Sequence, residues 1–182
     1  MEYLSGKLLI AIPELGDGNF YRSVVLVFQH DDEGASGVIL NRPSEITVGQ
    51  VWDEISSEQS DSQQVVNVGG PVEGPLLALH TCQALAESEI IQGVFLSFSR
   101  ESLNSLVVRE DEDFRVFSGY SGWGPGQLDQ EMKAGGWLTL PARKEHVFGS
   151  SDSLWKNVCE DVGHDILKPH IGLRKPVDPS LN

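Results

Sequence analysis

Apolar positions in this chain follow two rhythms. Short unbroken runs, Lys7 to Ile12, Ser23 to Phe28 and Gly37 to Leu40, are rich in β-branched residues and bounded by turn formers, the pattern of strands covered on both faces. The first forty residues therefore predict a three-strand unit. Pro13 to Asn19 serves as a turn-rich link. Asn41-Arg42-Pro43 is the stop, because proline pushes its predecessor out of helical geometry. Further strands are predicted at Val65 to Val68, Leu76 to Leu79, Val94 to Phe98, Phe114 to Tyr120 and Trp137 to Leu140, the last ended by Pro141.

The second rhythm is helical. Val48, Val51, Trp52 and Ile55 fall at i, i+3, i+4 and i+7, one apolar face of a helix over Thr47 to Ile55 with Thr47 as its N-cap. A helix over Arg100 to Val108 has Ser99 as cap and Leu103, Leu106 and Val107 inward. Gln127 to Ala134 is bracketed by Pro125 and Gly135, the usual order of helix start and stop. Asp152 to Val162 carries Leu154, Trp155, Val158, Cys159 and Val162 on one face, capped by Ser151 and stopped at Gly163. Ser56 to Gln64 reads as an exposed polar loop, and Gly69 to Pro75 as an irregular connection.

No repeat or composition break divides the chain. Strands and helices mix without strict alternation, so the expected fold is a single compact α/β (α+β) domain, a mixed β-sheet with helices packed against it. That domain spans 1–167. A tail over 168–182 with Pro169, Pro176 and Pro179 is expected to be poorly ordered.

Charge narrows the partners. Thirteen Lys and Arg against 27 Asp and Glu give a net charge of −14. A polyanionic duplex or an anionic membrane surface would be repelled, so no direct nucleic acid binding and no membrane binding are expected. The run Leu8 to Ile12 is shorter than a signal-peptide core, and no stretch approaches bilayer length. Cys82 and Cys159 are too few and too separated for a disulfide framework; two buried, unpaired thiols in a cytoplasmic protein are expected.

Catalytic motifs are incomplete. Gly119-Tyr120-Ser121-Gly122-Trp123 has the outline of a nucleophile elbow, but that turn needs glycine where Trp123 stands. Gly122, Gly124 and Gly126 precede a helix without completing a dinucleotide or phosphate-loop motif. The five histidines, among them His80 beside Cys82, show no paired metal-ligand spacing, so neither metal nor cofactor is expected. Acidic runs at 31–33 and 110–113 read as solvated surface.

What stands out is a set of polar, aromatic and glycine residues at predicted strand ends: Arg22, His30, Asn41, Arg42, Gly69, Gly70, His80, Tyr120, Trp123, Gln127 and Glu131. Ligands in sheet proteins bind at such ends, and Tyr, Trp and Arg anchor contact surfaces. Each also has an ordinary structural account, such as an Arg22–Glu131 ion pair or packing of Tyr120 against Trp123.

At these residues the chain resembles the AlgH/YqgE family of bacterial proteins. Gly6-Lys7-Leu8-Leu9-Ile10-Ala11, Phe20-Tyr21-Arg22-Ser23-Val24-Val25, His30, Gly34-Ala35-Ser36-Gly37 and Asn41-Arg42-Pro43 match its opening block. Gly69-Gly70-Pro71, Leu79-His80, Gly119 to Trp123, Gly126-Gln127-Leu128, Glu131, Trp137-Leu138, Phe148 and Trp155 follow in the family's order. The resemblance covers about residues 5–167. Asp129 stands where the family commonly has glutamate. It implies a compact mixed α/β domain and a regulatory link to alginate synthesis, and it carries over no reaction, cofactor or catalytic residue.

The expected function is therefore a binding or regulatory domain acting through the Gly/aromatic/Arg surface on a protein or small molecule, with any transcriptional effect indirect. The alternative is a hydrolase or transferase in which Ser121 meets a histidine within about 2.6–3.2 Å. The binding reading further expects Arg22, Asn41, Arg42, Tyr120, Trp123, Gln127 and Glu131 to converge in space.

Overall fold

The computed structural model describes residues 3–12, 18–55, 60–109 and 112–171, apart from the side chains of 55 and 164–171. Eleven strands and five α-helices are assigned among them. The strands are β1 Lys7–Ala11, β2 Val24–Asp31, β3 Gly34–Ile39, β4 Pro43–Thr47, β5 Val65–Val68, β6 Leu77–His80, β7 Ser88–Ile91, β8 Val94–Ser97, β9 Phe114–Ser118, β10 Ser121–Trp123 and β11 Trp137–Pro141. The helices are α1 Val48–Ile55, α2 Arg100–Val107, α3 Gln127–Lys133, α4 Lys144–Phe148 and α5 Ser151–Ile171, with short 3-10 turns at Gly18–Phe20 and Gln83–Leu85.

The strands form two sheets where the sequence suggested one. Sheet A runs β10-β3-β2-β1-β11, antiparallel throughout. Sheet B runs β4-β5-β9-β6-β8-β7 and is mixed, its parallel pair being β5 with β9. Strand alternation explains why β1 and β2 are apolar at every turn of the pleat. Leu8, Ile10, Val24 and Leu26 enter a core shared with Leu77, Leu79 and Phe117 of sheet B and Leu154 and Val158 of α5. Leu9, Ala11, Val25 and Val27 point the other way, into an outer layer with Phe20, Trp123, Trp137 and Leu128 of α3. The far face of sheet B, with Val66, Ala78 and Val116, is covered by Trp52 of α1 and by Leu103, Leu106 and Val107 of α2.

Caps fix the helix starts. Thr47 Oγ1 accepts the Gln50 amide at 3.2 Å while Gln50 Oε1 accepts the Thr47 amide at 2.9 Å, a reciprocal capping box. Ser99 Oγ accepts from the Ser102 amide at 3.3 Å. Gly163, expected to stop the last helix, lies inside α5, which continues to Ile171. A helical glycine costs only about 1 kcal/mol, less than the packing of the turns around it supplies. β3 ends before Asn41 and β11 ends at Pro141, as the prolines led one to expect, and Pro43 also opens the next strand, β4. Each proline lies in the edge strand of a sheet, where a missing ladder donor is tolerated.

The chain passes between the two sheets twice, from β3 to β4 and from β9 to β10, and the second crossing has another segment beside it. The chain leaves sheet B after β9 and enters sheet A at β10 through Gly119 and Tyr120, while Gly69 to Val72 runs alongside. The Gly69 amide donates to Ser118 O at 2.9 Å, and Val72 and Tyr120 exchange both backbone bonds at 3.0 Å. A Cβ on Gly70 would lie 2.2 Å from the Tyr120 carbonyl carbon, and one on Gly69 would lie 2.3 Å from Gly119 O. The Gly69-Gly70 pair is thus required by backbone proximity.

Both cysteines are free. Cys82 is buried, but Cys159 is only half-buried on α5, a correction to the expected pair of sealed thiols; burial still pushes its thiol pKa up. Of the regions read from sequence, Pro13 to Asp17, 56–59, 110–111 and 172–182 lie outside the described residues.

Candidate functional site

The sequence-selected residues separate into groups, because strand alternation assigns neighbouring positions to opposite faces of sheet A. Trp123, Gln127 and Glu131 do meet, in the outer layer beside α3. Glu131 Oε2 accepts the indole N–H of Trp123 at 3.0 Å and that of Trp137 at 2.9 Å, and Oε1 accepts from the Gln127 amide at 2.9 Å. Phe20 stacks on Trp123 with ring centroids 5.9 Å apart. Gln127 Oε1 also accepts the Gly124 amide at 3.1 Å, tying the glycine-rich turn to α3.

Arg22 and Asn41 form a second group. Asn41 Oδ1 accepts the Val24 amide at 2.9 Å and its Nδ2 donates to Arg22 O at 2.8 Å, so this side chain stitches the end of β3 to the start of β2. Arg22 sits at φ +50°, uncommon for a residue with a side chain. Its guanidinium carbon lies 5.3 Å from the ring centres of both Tyr21 and Trp155. Trp155 packs against the inter-sheet core, on the face away from Glu131. The Arg22–Glu131 ion pair therefore does not form, and the convergence of all seven residues is replaced by separate clusters.

Tyr120, Gly69 and Gly70 belong to the backbone crossing. The Arg42 carbonyl accepts the Val68 amide at 2.8 Å. His30 is buried, its Nδ1 accepting the Leu4 amide at 3.1 Å and its Nε2 4.0 Å from Asp129. His80 is in sheet B, fully buried, with Nε2 2.9 Å from Ser97 Oγ, which itself donates to Leu85 O. Burial holds the His80 imidazole pKa below its usual value, against the opposing pull of Glu112.

The hydrolase geometry is not met. Ser121 is fully buried, its hydroxyl donates to Gly69 O at 3.1 Å, and no described histidine side chain lies within hydrogen-bonding distance of it. The hydroxyl closes the sheet crossing, which is why a serine flanked by glycines stands there. Among the described residues no group of three potential ligands could hold a metal ion.

A different feature has the makings of a site. A groove of about 450 Å³ opens at one end of the inter-sheet space, lined by Asn67, Glu112, Asp113, Arg115 and Ser151 among others. Arg115 lies on the central strand β9 and reaches across to four elements. Nη1 donates to Val147 O at 2.9 Å, and Nη2 donates to Leu40 O at 2.8 Å, to Ser151 Oγ at 2.9 Å and to Asn67 Oδ1. Its guanidinium also lies 5.6 Å from the Phe117 ring centre. Burial alone pushes its pKa down to about 10, and no carboxylate offsets that cost, so at neutral pH it is a charged cation without a counter-ion among the described residues. A guanidinium has five N–H donors. All four contacts here come from the two terminal nitrogens, Nη1 and Nη2, and Arg115 is itself among the residues that line the groove.

Arg115 was missed from sequence because Glu110 to Asp113 just before it read as a solvated charge run. The available signal was a lone arginine inside Phe114-Arg115-Val116-Phe117, at a position where a strand flanked on both sides should present an apolar residue.

Comparison with known proteins agrees with this fold. The family model described as AlgH-like matches residues 8–167. A UPF0301 protein of Myxococcus xanthus is 37% identical over 171 residues, covering 91% of this chain and 94% of that one. A UPF0301 protein of Xanthomonas oryzae is 36% identical over 173 residues, covering 91% and 92%. The solution structure of the AlgH protein from Pseudomonas aeruginosa superposes with a TM-score of 0.76 at 25% identity over 95% of each chain. A crystal structure of a protein from Corynebacterium diphtheriae gives 0.72 at 25% identity over 88% of each. With the match running from β1 into α5 and the same two-layered core underneath it, the chain belongs to the AlgH-like family.

Proposed function

We propose that this protein is a binding or regulatory domain and that the Arg115 groove is where it captures a small molecule. The observation that carries this reading is a half-buried guanidinium, uncompensated by any described carboxylate, among the residues that line an open groove. A buried charge without a partner is costly, and a bound counter-charge removes that cost. The hydroxyl and imidazole groups that could have served catalysis are instead engaged within the fold: Ser121 by Gly69 O, Ser97 by Leu85 O and His30 by the Leu4 amide.

A second contact surface is supported by the Tyr21–Arg22–Trp155 stack. Tyr21 is 60% exposed, and Arg22 is held against both rings at a backbone angle that a glycine would adopt more easily. Arg22 is the member of the sequence-selected set that belongs to this stack, and an exposed cation held between two aromatic rings suits a protein partner. Any effect on transcription is indirect, since a net charge of −14 opposes duplex phosphates.

Titration of isotope-labelled protein with a panel of neutral, anionic, cationic and zwitterionic small molecules tests the groove. Amide shifts confined to β9, the start of α5 and the residues around Asn67 are expected for at least one class. Shifts only at Tyr21 and Arg22, or turnover of an activated ester that disappears in Ser121→Ala, would overturn the reading.

A further inference from the structure

Arg115 supplies only one end of the groove's electrostatics. Glu112 and Asp113 line the same space, so a purely anionic ligand reaching the guanidinium would approach two carboxylates. The protein as a whole adds to that repulsion with its net charge of −14. Among the described residues Glu112 has no ion-pair partner, and Asp113 has an exposed one. Glu112 Oε2 accepts only the Thr81 hydroxyl, at 2.5 Å. Asp113 faces Lys144 at 3.3 Å across a pair whose side chains are 60% and 49% exposed, an arrangement that contributes little and leaves lone pairs for a second donor.

The spacing of the charges is set by the strand. Asp113 and Arg115 are two residues apart at the start of β9, where the Thr81 amide donates to Asp113 O at 3.1 Å and continues the ladder with β6. Alternation sends their side chains to the same face, with attachment points about 7 Å apart.

Resting on the reading of the groove as a ligand site, we infer that its ligand is a small zwitterion, its carboxylate bound by Arg115 and its ammonium by Glu112 and Asp113. Such a ligand is neutral overall, so the protein's field does not repel it. It supplies the counter-charge that Arg115 lacks and the donors that the two carboxylates can still accept. Val147 O and Leu40 O hold the guanidinium in place before the ligand arrives, so little side-chain ordering remains for binding. The groove volume of about 450 Å³ admits two residues with small side chains.

The experiment compares four probes by calorimetry and by amide shifts: L-alanyl-L-alanine, its N-acetylated form, its C-terminal amide, and inorganic phosphate. The free dipeptide should bind at least about tenfold more tightly than either blocked form, the loss expected when one charge-assisted contact is removed. Glu112→Gln should bring the dipeptide down to the level of the acetylated form while leaving the acetylated form's own affinity unchanged. Arg115→Lys should abolish capture of both carboxylate-bearing probes, and Glu112→Gln, which leaves the Arg115 clamp intact, keeps the test decisive if the Lys variant fails to fold. Phosphate or the acetylated form binding as well as the free dipeptide would overturn the zwitterion inference and leave the groove as an anion site. Silence of all four probes, with shifts from another compound in the panel, overturns the zwitterion alone, and silence of the whole panel overturns the groove as well.

Discussion

Glu131 and Arg115 are both half-buried charged residues at the margin of a core, and the fold treats them differently. Glu131 is fully committed: both carboxylate oxygens are taken, by two indoles and an amide, and the three donors belong to neighbouring elements of one layer. Arg115 ties β5, α4, α5 and the turn after β3 to its own strand, yet meets no carboxylate among the described residues. The first is a structural node, because removing it orphans groups of the protein itself. The second retains capacity for something outside the protein. In a family without a reaction to guide the reader, the uncompensated charge of a half-buried side chain is a better pointer to a site than residue type or position at a strand end.

Replacing Glu131 tests this contrast most strongly. Glu131→Ala leaves the Trp123 and Trp137 N–H groups without acceptors and should cost about 2–4 kcal/mol in urea unfolding, with Glu131→Gln costing less because one oxygen remains. Unchanged stability in the Ala variant would show that the indoles reach water, and the distinction between the two residues would fail.

A second measurement extends the contrast to buried imidazoles. Burial lowers the pKa of His80 and, together with the neighbouring Arg143, that of His146, from the ordinary 6.5. The unfolded chain therefore takes up these protons more readily than the folded one. Stability from this source is complete above about pH 6.5 and is lost as pH falls below it toward the lowered folded values. Denaturant midpoints should drop between about pH 7.5 and 5.5, and the drop should be smaller in the His80→Gln, His146→Gln double variant. An equal drop in both proteins would assign the effect to carboxylates.

The smallest effect is expected at Arg22. Arg22→Gly removes an exposed cation–π contact worth about 0.5–1 kcal/mol and relieves a left-handed backbone of similar cost, so the thermal midpoint should hardly move. A loss well beyond that range would make Arg22 a structural residue like Glu131 and remove the case for a second contact surface.

Much of the fold could be read from residue pattern. The doubly apolar strands β1 to β3 and the caps Thr47 and Ser99 are local features, written in adjacent residues. What escaped was set by partners far along the chain. Three-residue β10 is a strand only because β3 offers it an edge, and β4 and β7 are polar edge strands with no apolar rhythm. A second sheet was invisible for a similar reason: a run apolar on both sides reads the same whether helices or another sheet cover it. The candidate surface failed as one patch because sequence gives nearness to a strand end without giving the face. Trp123 lies in the outer layer of sheet A, whereas Arg22 stacks on Trp155 of α5, on the opposite side of that sheet.

Sheet A also carries a consequence for how the protein is made. Its interior strand β1 is synthesised well over a hundred residues before its partner β11, with Lys7 placed opposite Pro141 and the Trp155 indole donating to Ala11 O at 3.1 Å. Until then the β1–β2–β3 meander, the most apolar stretch of the chain, waits with an unpaired edge and no outer layer. Completion of sheet A therefore waits for β11, and until that strand arrives the open edge of β1 is a site where the nascent chain can aggregate.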